Sequence, residues 1–204
     1  MVVNLYTKCL IYNFEKLFKS KGYHWFTKGN YNLNIIGIRS NKNNKVTNEY
    51  DDLLIVDYNT DIGHKRVIYR ITTEPGTYYV KNLLCPKGVA ILVPGQYSGC
   101  WKIGLHKGKY KALCQEKPVK VYRDDNKDDI FDLNNDTIQK GIFGINIHRS
   151  HEKLTVDKID KYSAGCQVFQ NAPQFNSFMR LCEVQAKLYG NSFTYTLINE
   201  EDLI

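Results

Sequence analysis

Between residues 53 and 123 the chain is a succession of short apolar and β-branched runs, at 53–58, 66–73, 77–81, 89–93, 101–106, 109–115 and 119–123. Gly, Pro, Asn or Asp separates each run from the next. Runs of this length are too short for helices that bury a face, and they match strands. A strand satisfies its backbone only by pairing, so the series demands a sheet. With few helices to cover it, that sheet must stack on another or curl toward closure. Glu74-Pro75-Gly76-Thr77 reads as a type II turn, with Pro and Gly at its centre. Lys107-Gly108 reads as a hairpin turn.

The flanks differ in period. Leu10, Phe14, Leu17 and Phe18 share one helical face, which predicts a helix over 8–19 ended by Gly22. Residues 34–39 read as a strand and 41–48 as a polar loop. Further on, 142–148 and 163–169 read as strands. Phe175, Phe178, Leu181 and Cys182 line one side of a helix over 175–188, with Gly190 as its stop. Residues 192–198 alternate polar and apolar, as a half-buried strand does. The fold class is α+β: a β-rich single domain, a sandwich or partly open barrel, with an N-terminal and a C-terminal helix. All 204 residues form one domain, with 1–50 as a helical and loop cap and 51–204 as a β-rich core.

Net charge is +7, but lysines are scattered over most segments rather than gathered in a tail. That pattern is a basic surface, and with no zinc-finger spacing or base-reading motif it implies no specific nucleic-acid partner. No apolar run reaches the roughly 18–20 residues of a membrane span. The start of the chain lacks a basic region followed by a long apolar stretch, so no signal peptide is expected. The six cysteines include no Cys-x-x-Cys pair, which suits reduced thiols from cytoplasmic synthesis. Cys9 and Cys182 read as core, and Cys114 as a buried strand residue. Residues 124–136 are acidic and Asn-rich; Asp124-Asp125-Asn126-Lys127-Asp128 lacks the Gly and terminal Glu of a calcium loop.

The chemistry-bearing feature is His148 ahead of Tyr162-Ser163-Ala164-Gly165-Cys166-Gln167. A cysteine becomes a strong nucleophile as a thiolate, and a nearby imidazole can take its proton. A small turn ending in Gly165 and Cys166 would expose the sulfur and set backbone N–H groups beside it as oxyanion donors. Asn146 and His148 are two apart and share a face, with Ile145 and Ile147 facing a core. Asn146 is therefore expected to orient the imidazole. Ser163 either caps the turn or hydrogen-bonds near the base, and Tyr162 is expected to wall the pocket. His106 either lines the same cleft or is an exposed turn histidine. Arg149 suits a substrate carboxylate, or is an ordinary loop side chain. His148, Cys166 and His106 or His151 are also ligand types for zinc. Without a His-x-x-x-His or His-x-Glu pair the thiol reading is preferred, and neither metal nor cofactor is expected.

Fourteen residues separate His148 from Ser163. This order and spacing resemble the L,D-transpeptidase (YkuD-type) motif, a His ahead of Ser/Thr-His-Gly-Cys. The layout from Ile71 to Ile198 is also similar to small phage and prophage proteins. Ala164 stands where the family has its second His, and Gln167-Val168 replaces the usual apolar residue followed by Asn or Arg. The resemblance implies a phage-type cysteine peptidase or transpeptidase that acts on peptidoglycan stem peptides through a thioester. It would be made in the host cytoplasm and act at the cell wall or within a particle, beside other virion proteins. The alternative is a non-catalytic structural or adaptor protein of a virion that retains the fold.

Overall fold

The structure, a computed structural model, describes residues 4–203. The segment read for a leader extends into residues 1–3, outside the described residues. The helix expected over 8–19 is two short helices, α1 (Leu5–Ile11) and α2 (Phe14–Ser20). Tyr12 is extended and Asn13 leaves helical geometry, its Oδ1 accepting from Lys16 N at 3.0 Å. An Asn side chain competes well for the free N–H groups of a helix start, so the second helix begins anew there.

Two strands follow the polar connection, β1 (Asn34–Arg39) and β2 (Asp52–Thr60), then β3 (Gly63–Thr72). Residues 77–81, expected as a strand, form the short helix α3 (Thr77–Lys81). Gly76 is extended at φ −76°, so the expected type II turn is absent; instead its carbonyl accepts from Tyr79 and Val80. A Cβ at Gly76 would lie 2.3 Å from the Asp160 carbonyl oxygen, so glycine serves close approach here. Strands β4 (Val89–Leu92), β5 (Gly95–His106), β6 (Tyr110–Gln115) and β7 (Val119–Asp124) follow. Lys107 and Gly108 both have positive φ, which makes the β5–β6 connection the expected hairpin turn. The strands expected over 142–148 and 163–169 shrink to β9 (Ile147–Arg149) and β10 (Gln167–Phe169), after a short β8 (Gln139–Gly141). Helix α4 (Ala172–Tyr189) and strand β11 (Phe193–Asn199) complete the chain.

Eight strands close into a barrel in the order β1-β11-β5-β6-β9-β10-β3-β2, and β4, β7 and β8 form a small second sheet. The molecule is a mostly-β single domain with helices near both ends, and the barrel is closed rather than partly open. Closure depends on parallel pairing of β1 with β11 and of β9 with β10. The first fifty residues are therefore more than a cap: β1 sits between β2 and β11 and seals the barrel.

All six residues of β1 are buried, because both of its faces are covered. Ile35 shares the interior with Leu54, Val56, Trp101 and Tyr195. Ile36 and Ile38 face outward under Cys9, Phe14 and Phe18 of α1 and α2. Phe175, Phe178 and Cys182 bring α4 into the interior cluster against Tyr69 and Phe169. Cys9 and Cys182 are core residues as expected, whereas Cys114 is only half-buried. Among the described residues, no helix is long and apolar enough to cross a membrane.

Candidate active site

Strand pairing brings the distant parts of the motif together. Val168 lies opposite His148 in the parallel β9–β10 pair, and Gln167 N donates to Asn146 O at 2.9 Å. Cys166 thus enters β10 beside Asn146. Ile145 and Ile147 are fully buried in the interior, so Asn146 and His148 take the opposite face. The expected sharing of that face is present, although only 147–149 is regular strand.

His148 is held by its own neighbour. Its Nδ1 lies 2.8 Å from Arg149 O, and Tyr110 Oη lies 3.2 Å from both of those atoms. A carbonyl can only accept, so Nδ1 carries the proton and Nε2 is left with its lone pair. The tautomer is the one a general base at Nε2 requires.

Asn146 orients the other histidine. Its Oδ1 accepts from Gln115 N at 2.8 Å, which turns its amide Nδ2 toward His106 Nδ1 at 3.1 Å. His106 is therefore a neutral ring with its proton on Nε2. The rings of His106 and His148 stack at 4.0 Å with 22° between planes. His106 is buried in the site rather than exposed at its turn, and the expectation that Asn146 holds His148 is corrected: the Arg149 carbonyl and Tyr110 do so.

The turn before Cys166 is built by Ser163. Its Oγ donates to Cys166 O at 2.9 Å and accepts from Gly165 N at 3.1 Å. Ser163 is completely buried and makes no bond to the base, so it caps the turn. The turn leads directly into β10. Gly165 has φ +122°, and a Cβ there would meet the Ala90 carbonyl oxygen at 2.0 Å. Because Gly165 N is committed to Ser163, it is not the oxyanion donor expected from the sequence. The Cys166 N–H has no acceptor among the described residues.

Cys166 Sγ donates to Gly144 O at 3.3 Å and accepts from Asn146 N at 3.5 Å. It shares the face of His148 without being hydrogen-bonded to it. Burial pushes the thiol up to about 11, partly opposed by the Asn146 N–H. Burial pushes His148 down to about 3, with the stacked His106 ring adding to the effect. His106 is pushed down to about 4, again by burial first and then by Lys107. The resting pair at neutral pH is a thiol and a neutral imidazole, not an ion pair.

Arg149 places its guanidinium 4.3 Å over the Tyr110 ring, where its charge is held beside the site. Tyr162 packs with Cys166 against Tyr50, Ile159 and Val168. The depression of about 570 Å³ that Tyr162 borders and the one of about 180 Å³ that Ala164 borders are lined by neither Cys166 nor His148, so Tyr162 does not form the expected pocket wall at the sulfur. His151 Nδ1 accepts from Lys153 N and Leu154 N, so it is tied to its own loop. Among the described residues, no group of three or more His, Cys, Asp or Glu side chains comes together to hold a metal ion, in the site or in the acidic loop.

Tyr110 is the site residue that sequence reading missed. Its signal was its register: across the Lys107-Gly108 hairpin it is the direct partner of His106. No known family model, curated protein or solved structure matches this chain.

Proposed function

We propose that this protein is a cysteine-dependent acyl-transfer enzyme that cleaves peptidoglycan stem peptides, a phage-encoded relative in chemistry of the L,D-transpeptidases. The observation that carries the reading is the His148 Nδ1–H bond to Arg149 O, which leaves Nε2 as a proton acceptor on the face shared with Cys166.

The steps follow from that arrangement. As the sulfur turns from Gly144 O and attacks a peptide carbonyl carbon, its proton passes to His148 Nε2. The carbonyl oxygen becomes an oxyanion that the Cys166 N–H can meet. Collapse breaks the C–N bond, the imidazolium gives its proton to the leaving amine, and a thioester remains. Water then attacks with Nε2 as base, releasing a carboxylic acid and restoring the thiol. With His148 pushed down to about 3, the imidazole is weakly basic, so proton transfer and S–C bond formation must be concerted.

A second reading has its own support. The Cys166 thiol is bonded to Gly144 O, and its proton is held up to about 11, as in a structural cysteine. On that reading the chain is a non-catalytic virion component that retains the fold. Incubation of wild type, Cys166→Ala and His148→Ala with purified peptidoglycan separates the two. The enzyme reading expects soluble muropeptides of new mass from wild type alone. Equal products from wild type and Cys166→Ala would remove it.

A further inference from the structure

We propose that the cavity between the α1–α2 connection and the barrel wall is a saccharide-binding site. It measures about 480 Å³ and lies under Tyr12 and Asn13, over Asp57, Asn59 and His64 of β2 and β3. That volume falls within the roughly 300–1,000 Å³ of small-molecule sites. The proposal does not rest on the peptidase reading, because none of the thiol–imidazole residues lines this cavity.

Its floor is rigid. Asp57 is completely buried, and its Oδ2 accepts from Arg66 Nε at 2.9 Å and Nη2 at 2.5 Å. Its Oδ1 is bonded by His64 Nε2. Asn34 is locked to the Phe26 backbone, accepting from its N–H and donating to its carbonyl, both within 3 Å. These groups are already paired and hold their neighbours in place.

What remains open to a ligand is a mixture of single donors and single acceptors. Asn13 Oδ1 caps α2, so its Nδ2 is the side left to donate. Asn59 Nδ2 donates to Thr27 O at 3.2 Å, so its Oδ1 is left to accept. His64 commits Nε2–H to Asp57, which leaves Nδ1 as its unbonded ring nitrogen. Glu15 adds a carboxylate at the rim. Arg66 is matched by Asp57 at short range, which leaves the Glu15 carboxylate as the unmatched charge at the rim. An anion would call for donors alone and a cation for acceptors alone, whereas a hydroxyl both donates and accepts. Trp25, Phe26 and Tyr58 supply flat apolar wall, and Tyr58 is held by stacking on Tyr31 at 5.5 Å. Alternating hydroxyls and C–H faces are the chemistry of a sugar ring.

The test is titration of isotope-labelled full-length protein with tri-N-acetylchitotriose and, separately, maltotriose, followed by amide shifts. The expected result is saturable binding of at least one sugar with Kd below about 1 mM, with shifts centred on Asn13, Trp25 and Asn59. Asn13→Asp keeps the capping oxygen and removes the donor, so it should weaken binding about tenfold while leaving the rest of the spectrum unchanged. Cys166→Ala should bind as wild type, which keeps this result separate from the fate of the peptidase reading. No saturable shifts with either sugar, shifts centred elsewhere, or unaltered binding by Asn13→Asp would each overturn the proposal. Equal shifts on adding inorganic phosphate would also overturn it, by reassigning the cavity to anions.

Discussion

At the residue scale, the site is governed by burial. His148 and His106 stay neutral in the fold well below the ordinary histidine value of 6.5, because both rings are desolvated. The unfolded chain binds protons on them first as pH falls. Stability from keeping these rings neutral is therefore complete above about 6.5 and is lost as pH falls toward about 4 for His106 and about 3 for His148. Each ring contributes a slope of up to about 1.4 kcal/mol per pH unit inside its window. Urea midpoints at pH 7 and pH 4.5 should fall further apart in wild type than in His148→Gln; equal differences would contradict the desolvation account. Cys166 behaves oppositely: with its thiol pushed up to about 11, alkylation should quicken by close to tenfold per pH unit through the neutral range. A plateau near pH 7, read by mass spectrometry, would mean a preformed thiolate. Gly165→Ala meets both a left-handed φ and a backbone oxygen 2.0 Å from the new Cβ. It should cost about 3 kcal/mol or more in denaturant titration and displace the Cys166 turn.

At the element scale, one side chain adds a polar tie between the N-terminal helices and the barrel, beside the packing of Cys9, Phe14 and Phe18. Arg66 Nη1 donates to the carbonyls of Cys9, Leu10 and Tyr12, at 3.0, 3.2 and 2.9 Å, while its other nitrogens bind Asp57. It satisfies the end of α1 and a buried carboxylate together. Arg66→Met should cost about 3–5 kcal/mol, since Asp57 would be left buried with only His64. Limited proteolysis should then cut first within residues 5–20; cleavage elsewhere would show that α1 is held by other contacts. The sequence foretold helix-forming residues here, because Phe14, Leu17 and Phe18 have helical spacing, but Asn13 resets the helix by capping. Thr77–Lys81 carries Val and two Tyr, which read as strand, yet it lies where Gly76 presses on the Asp160 backbone, and one helical turn satisfies its backbone locally. Local propensity over five residues is too weak to resist such tertiary placement.

At the scale of the whole molecule, closure is made by the two ends of the chain. The parallel β1–β11 pair joins residue 35 to residue 195, and β1–β2 completes the ring. Removing residues 1–50 should leave β2 and β11 as bare edges, and the truncated protein should aggregate when assessed by size exclusion. A monodisperse, folded 51–204 fragment would show that the barrel tolerates opening. Such long-range pairing also implies slow folding for a chain of this size.

The sequence by itself determined the period of most strands and of the C-terminal helix, the buried face of Ile145 and Ile147, the turn at Lys107-Gly108 and the His148–Cys166 spacing. Side-chain chemistry and local geometry suffice for those. Barrel closure, the His106–His148 stack, the role of Tyr110 and the direction of the Cys166 sulfur were decided only by tertiary structure. Each depends on which strand lies beside which, and that register is set by burial summed over the whole sheet, beyond the reach of any local run of residues.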